Sequence, residues 1–284
     1  MQSVQFGGCM ISIVLPSFNR AQVLSKAVES ILRQTYKDFE LIIVDDGSTD
    51  NTADVVKNFN DDRIVYVRQE NAGACVARNN GIEHSRGEYI AFQDSDDIWH
   101  EDKLEKQLKT IQDKNADIVF CRMNRMSGGK KIGLVSDYFK EGFLSKDVMP
   151  MSIGTQTLVG KSIVFKQEKF DPEMPRFQEF ELLVRAQKNY SIYCMEEPLV
   201  DYHLQNDSIS KHPERYLQAW NLMLKKHPDF LKMYASSSDR IGRDVLLNSF
   251  CVDDWRLRWK FISKAFMFKK SLRMVVRLIR GTFL

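Results

Sequence analysis

The sequence predicts an α/β protein built on a mostly parallel central sheet, followed by a helical C-terminal extension. Two observations carry this. From Ile11 to Phe120 short apolar runs of strand length alternate with longer segments of helical period, the pattern of strands joined by crossover helices. Polar and acidic clusters directly follow the first, second and fourth of those runs, at the carboxyl ends where parallel sheets bind ligands.

The elements follow in order. Ile11–Leu15 is a buried strand, and Pro16-Ser17-Phe18-Asn19-Arg20 is the turn after it. Between Ala21 and Gln34 the apolar residues Val23, Leu24, Ala27, Val28, Ile31 and Leu32 recur at helical spacing. Leu41–Val44 is a second strand that ends in Asp45-Asp46-Gly47-Ser48-Thr49-Asp50. A helix over Thr52–Phe59 and a strand over Arg63–Val67 come next, then a helix over Gly73–Glu83 and a strand over Tyr89–Phe92. A helix from Glu101 to Asp113 and a strand from Asp117 to Phe120 complete the alternation.

Beyond Cys121 the pattern is less regular. Gly128-Gly129-Lys130-Lys131 is a polar turn, and Met149–Thr157 is a loop that could line a site. Phe177–Lys188 has helical spacing, and Ser191–Cys194 and Leu199–Tyr202 are short strands. After Pro213 the chain is expected to be helical throughout, which divides it into 10–210 and 211–284.

At 284 residues, 43% hydrophobic and 28% charged, the chain has the length and balance of a globular protein with a substantial core. The five cysteines are scattered, without a Cys-x-x-Cys pair. That excludes a disulfide framework or zinc site of the usual spacing and points to a reducing cytosol. No apolar run is long enough to span a bilayer, and the first residues lack the pattern of a signal peptide. Translation could start at Met1 or at Met10, which directly precedes the first strand.

Tyr89-Ile90-Ala91-Phe92 runs straight into three carboxylates, Asp94, Asp96 and Asp97. In extended backbone residues two apart project to one side, so Asp94 and Asp96 can converge while Ser95 turns away. A divalent cation, Mg²⁺ or Mn²⁺, would relieve their repulsion and could share its shell with phosphate oxygens. The alternative is an acidic turn that caps the helix beginning near Glu101. Agreement with the other strand ends favours the metal. Neither a Gly-x-Gly-x-x-Gly fingerprint nor a Walker phosphate loop follows the first strand, which argues against a nicotinamide enzyme or a P-loop ATPase.

Four motifs in order, Pro16-Ser17-Phe18-Asn19-Arg20, Asp45–Asp50, Asn71-Ala72-Gly73 with Ala77–Gly81, and Asp94-Ser95-Asp96-Asp97, resemble the family 2 inverting glycosyltransferases. The resemblance covers about 10–210 and is strongest over 11–113. It implies a Rossmann-like A-type glycosyltransferase fold and transfer of one sugar from a nucleotide diphosphate sugar, with a UDP-sugar as the expected donor. By that resemblance Pro16, Ser17 and Phe18 cradle the nucleoside and Asp46 accepts a hydrogen bond from the base. Arg78 lies near the base or diphosphate, Asp94 near ribose and metal, and Asp96 on the metal, with His203 as a possible third ligand. The family's base position, in a Glu-Asp pair opening a helix, aligns here with Gln178-Glu179. Glu179 is thus the expected catalytic base, with Glu181 as competitor. Trp99 could stack on the acceptor sugar or pack in the core. Arg258-Trp259 has Trp255 where polymerising members carry a Gln, so single transfer is expected.

The expected acceptor is a saccharide or lipid-linked saccharide of bacterial surface polysaccharide synthesis, with no nucleic-acid partner. Two rivals stand beside this. A sugar-phosphate nucleotidylyltransferase would need a Gly-rich, Arg-bearing loop after the first strand, which Pro16–Asn19 is not. A non-catalytic nucleotide-sugar-binding or scaffold protein would follow if Glu179 were not a base.

Every charged side chain after Asp254 is basic, whereas the residues before Trp255 carry an acidic excess within a chain of net charge +3. Lys269, Lys270, Arg273, Arg277 and Arg280 fall on one arc of a helix, with Leu272, Met274, Val275, Leu278 and Ile279 opposite. The preceding stretch, Trp255–Lys264, is equally basic with poorly separated faces, and a break is expected near Phe266-Met267-Phe268. This tail either packs on the main domain or places 255–284 against an anionic membrane. The expected location is cytoplasmic, with peripheral attachment to the inner face of the cell membrane.

Overall fold

Each of the five apolar runs between Ile11 and Phe120 forms a strand, and all but Ile64–Arg68, which is only half-buried, are largely buried. The computed structural model describes residues 9–136, 138–204, 213–237, 241–243, 245, 248 and 254–268. It divides into two compact units, one of 1–144, 150–173 and 177–206, the other of 145–149, 174–176 and 207–284.

The first unit is a sheet with helices on both sides. Its strands are β1 (Ile11–Ser17), β2 (Phe39–Asp45), β3 (Ile64–Arg68), β4 (Tyr89–Phe92), β5 (Ile98–Trp99), β6 (Ile118–Ser127), β7 (Lys130–Val135), β8 (Gly142–Phe143), β9 (Leu158–Lys161) and β10 (Ile192–His203). They lie in the order β3-β2-β1-β4-β9-β6-β10-β5, with β7 beside β6 and β8 beside β10. β3, β2, β1 and β4 run parallel, as do β6 and β10. The order reverses direction at β1, so a crevice opens beyond the carboxyl ends of β1 and β4.

Alternate residues of each strand serve opposite cores. Ile13 and Leu15 of β1, with Leu41 and Ile43 of β2, pack with Leu24, Val28 and Ile31 of α1 (Leu24–Leu32) and Leu104, Leu108 and Ile111 of α4 (Lys103–Lys114). Val14, Ile90 and Phe92 face Ile82 of α3 (Ala74–His84), Phe165 of α5 (Ser162–Gln167) and Leu182 and Leu183 of α6 (Gln178–Ala186). The remaining helix, α2 (Thr52–Lys57), contributes Val56 to the first core. Burial of both faces is why these strands read as continuous apolar runs. Helix α3 lies close on β1: a Cβ on Gly81 would come within 2.4 Å of Val14 Cγ1.

The sheet departs from the sequence reading in its second half. Leu158–Lys161 is a strand, antiparallel to both β4 and β6, so it separates them. Gly128 and Gly129, at φ 55° and 77°, make the expected turn, but it joins two strands, β6 and β7, into a hairpin. The two expected strands around Ser191–Tyr202 are one, β10, with irregularities on either side of Pro198, where proline has no N–H for the ladder.

In the second unit α7 (Pro213–Lys226), α8 (Phe230–Met233) and a last helix, Trp255–Phe268, share an aromatic core. Tyr216 stacks on Phe261 at 5.7 Å, and Trp220 meets Phe230 edge-on at 5.9 Å. The last helix extends to Phe268, the last described residue, where the expected break near Phe266-Met267-Phe268 would fall. The amphipathic segment Lys269–Arg280 lies outside the described residues.

Candidate active site

The loops after β1 and β2 are stitched to each other. Asn19, at φ 52°, donates its backbone N–H to Ser48 Oγ at 2.9 Å, while its side-chain carbonyl accepts from Thr49 N at 2.8 Å. Asp45 accepts from Ser48 N at 2.8 Å and from the Tyr66 hydroxyl. Pro16 and Ser17 are buried at the end of β1, and Ser17 Oγ has no hydrogen-bond partner among the described residues. Phe18 beside them is 44% exposed.

Asp46 closes the next loop inward. Its Oδ1 accepts from Ala72 N at 2.9 Å and Gln69 Nε2 at 2.7 Å, and its Oδ2 from Gly73 N at 2.8 Å. Both carboxylate oxygens therefore already hold the 69–73 segment, leaving only their remaining lone pairs for a ligand. Gly73 at φ 92° then opens α3.

The acidic segment after β4 converges by a turn, not by strand alternation. Asp97 N–H donates to the Asp94 carbonyl at 3.3 Å, folding Ser95 and Asp96 over the chain. Asp97, 1% exposed, accepts from His203 N at 2.9 Å and Gln156 Nε2 at 2.7 Å. Burial, reinforced by Asp94 and Asp96, pushes its carboxyl well above the usual carboxylate range, against the two N–H donors. His203, at the carboxyl end of β10, is thereby tied to the acidic turn.

Arg78 joins this turn to the start of α6. One guanidinium nitrogen donates to Asp94 Oδ1 at 2.8 Å and the other to Gln178 Oε1 at 2.9 Å. The guanidinium is 7% exposed; burial works against its charge, but Asp94 opposite holds its pKa above the ordinary value. Its Nε has no hydrogen-bond partner among the described residues. Glu179 follows Gln178 in the first turn of α6, where the helix dipole favours a carboxylate. Phe177, at φ 63°, sets the direction in which the chain enters that helix.

The competitor, Glu181, is 2% exposed and tied to Arg185 through Nε at 2.9 Å and Nη2 at 2.9 Å. Trp99 is likewise removed from the crevice, which corrects its reading as an acceptor platform. It is 2% exposed, donates Nε1–H to the Gln156 carbonyl at 3.0 Å, and carries Lys103 Nζ over its ring at 3.9 Å. A ring so covered has no face for a sugar.

Sequence reasoning placed Thr155 and Gln156 in a loop that could line a site but gave neither a role. The single turn Thr155–Thr157 holds Asp97 through the Gln156 side chain, while Thr155 Oγ1 reaches Glu179 Oε2 at 3.5 Å. Two isolated polar residues in a loop give no spacing signal.

The donor set suits a divalent cation. Asp94, Asp96 and Asp97 crowd one turn, and His203 Nδ1 is buried with no hydrogen-bond partner among the described residues. No three His, Cys, Asp or Glu side chains among the described residues form a ready-made cage. A cation at this turn would need oxygens from outside the chain to complete its shell.

The family model described as Glycosyl transferase family 2 matches residues 12–171. The chain is 34% identical over 214 residues to TuaG of Bacillus subtilis (strain 168), a glycosyltransferase named for teichuronic acid biosynthesis, covering 72% of this chain and 82% of TuaG. It is 38% identical over 125 residues to WfgD of Escherichia coli, a UDP-Glc:alpha-D-GlcNAc-diphosphoundecaprenol beta-1,3-glucosyltransferase, covering 44% of this chain and 49% of WfgD. Several relatives from Rickettsia and Streptococcus pneumoniae are much longer, and the chain spans between 28% and 31% of each. Among solved structures, Staphylococcus aureus TarS 1–349 with UDP-GlcNAc superposes at TM-score 0.66 and 17% identity, over 93% of this chain and 92% of that one. The Pyrobaculum calidifontis mannosyltransferase PcManGT with GDP-Man and Mn²⁺ gives 0.64 and 15%, over 95% and 79%. At these identities the likeness is one of fold, the A-type glycosyltransferase fold.

Proposed function

This chain belongs to glycosyl transferase family 2 and is a glycosyltransferase; from that premise we propose that it moves one sugar from a UDP-sugar to an acceptor hydroxyl with inversion, Glu179 acting as base. The observation that carries this is the Arg78 bridge, 2.8 Å to Asp94 and 2.9 Å to Gln178. It keeps the residues suited to the donor and the candidate base at one end of the sheet.

In this reading Phe18 stacks on the nucleobase beside Pro16 and Ser17, with Asp46 at the base edge. Arg78 turns its remaining N–H toward the diphosphate. The acceptor oxygen attacks the anomeric carbon while its proton passes to the Glu179 carboxylate, and the bond from that carbon to the diphosphate oxygen breaks. A positioned base contributes ~10²–10⁴-fold in general. Asp94, Asp96 and His203 would hold Mn²⁺ or Mg²⁺, which when bound offsets charge on the departing diphosphate.

The chemistry is assigned to 10–210, with 211–284 as an attachment region. The acceptor named for WfgD, a diphosphoundecaprenol-linked sugar, supports a lipid-linked saccharide in surface polysaccharide synthesis as the acceptor here. No helix among the described residues is long and apolar enough to cross a membrane. From the lipid-linked acceptor and the basic residues after Asp254, we assign the enzyme to the cytoplasmic face, held peripherally through 255–284. The test is release of nucleoside diphosphate from a panel of UDP-sugars with Mn²⁺ and no acceptor. Slow metal-dependent hydrolysis supports an enzyme, and binding without any turnover supports a non-catalytic protein.

A further inference from the structure

The poorly separated faces of Trp255–Lys264 resolve once the helix is seen in place. At ~100° per residue, Trp255–Phe268 divides into three arcs. Phe261 and Ala265, both 0% exposed, form the arc buried against the aromatic core of the second unit. About 120° away, Trp255 and Trp259 form an outward arc, 65% and 62% exposed. Between them on the remaining side lie Arg256 and Lys260, both exposed. No acidic residue occurs in the helix.

Two tryptophans one turn apart and turned to solvent are not explained by packing, since the helix already has its buried face. An indole combines an apolar ring with an N–H, and suits the headgroup level of a bilayer. A basic arc beside it attracts an anionic leaflet over about a Debye length. We infer that the Trp255/Trp259 edge, flanked by Arg256 and Lys260, is a docking surface for an anionic lipid bilayer. This rests on the proposed lipid-linked acceptor, to which such attachment would bring the enzyme. It needs neither a membrane span nor the segment beyond Phe268.

The test uses the full chain and vesicles of phosphatidylcholine with and without phosphatidylglycerol, read by co-sedimentation. The intact protein is expected to bind the anionic vesicles and to release as salt rises. W255A/W259A should bind at least ~10-fold more weakly. R256Q/K260Q should lose roughly fivefold per charge, the equivalent of about 1 kcal/mol near an anionic leaflet, and much of the salt dependence. Thermal melting and UDP-sugar binding should be unchanged in both variants, because these side chains lie on the surface of the second unit. A failed donor-binding assay in the intact protein would count against the proposed function and leave the vesicle result to be judged alone. Equal vesicle binding by W255A/W259A and intact protein overturns the docking surface. So does a tryptophan variant that loses self-association in sedimentation velocity while its vesicle binding is unaltered, since the edge would then join two copies of the chain.

Discussion

Gln156 donates its side-chain amide to the Asp97 carboxylate at 2.7 Å, while its own carbonyl accepts the Trp99 indole N–H at 3.0 Å. One residue thus holds the base of the acidic turn to the core. Removing the amide leaves a buried carboxylate oxygen short of a donor, a loss of about 1–3 kcal/mol. Gln156→Ala should therefore melt earlier in urea. Its kcat should fall more than its affinity for UDP, because the turn it belongs to also carries Thr155 toward Glu179. Unchanged kcat with lowered stability would reduce Gln156 to a packing residue.

The two acids of the α6 first turn make a direct comparison. Glu179→Gln should retain UDP binding and lose ~10²-fold or more in transfer. Glu181→Gln should act on stability, through its ties to Arg185. If the second variant is the one that keeps its fold and loses transfer, the base has been assigned to the wrong carboxylate.

Arg78 uses the planar fork of a guanidinium to reach Asp94 and Gln178 together. A lysine keeps the charge but cannot present two nitrogens in that geometry. Arg78→Lys should weaken UDP binding by roughly tenfold, about 1.4 kcal/mol, measured by calorimetry in the presence of Mn²⁺. An isotherm matching that of the intact protein would remove the bridge from the site.

Lys103 gives a stability prediction away from the chemistry. It is 0% exposed, and its Nζ has no hydrogen-bond partner among the described residues, only the Trp99 ring. Burial lowers its pKa from 10.5 to about 8. Between those values the unfolded chain binds the proton and the folded chain does not, so this group's contribution to stability rises with pH across that window. Near neutral pH the ammonium is charged in both states and its burial is a net cost. Lys103→Met should then be more stable by about 2 kcal/mol at pH 7. The advantage should shrink as pH climbs from about 8 to 10.5. A difference that stays constant with pH would mean that Lys103 titrates alike in both states.

The parallel half of the sheet was legible because burial on both faces writes unbroken apolar runs such as Leu41–Val44. Leu158–Lys161 was not, since four residues that include Gly160 and Lys161 carry neither period nor length. Within the site, the ends of β1, β2 and β4 announced themselves as polar clusters after apolar runs. The contact between Gln156 and Asp97 spans 59 positions, and a single amide in a loop carries no trace of its partner. Trp99 shows the converse: its place directly after three acids suggested a ligand surface, but the same position in β5 turns the ring into the core.

In the proposed mechanism a divalent cation held at the acidic turn binds the nucleotide diphosphate, and the thermal stability of Asp96→Asn with UDP and Mn²⁺ is the sharpest test of it. For the intact chain, UDP at 100 times its dissociation constant should add ~2.7 kcal/mol of stability, most of it lost on chelation. Asp96→Asn should melt like the intact protein without ligand and gain little from UDP with Mn²⁺. The same metal-dependent gain in Asp96→Asn as in the intact protein would contradict the account.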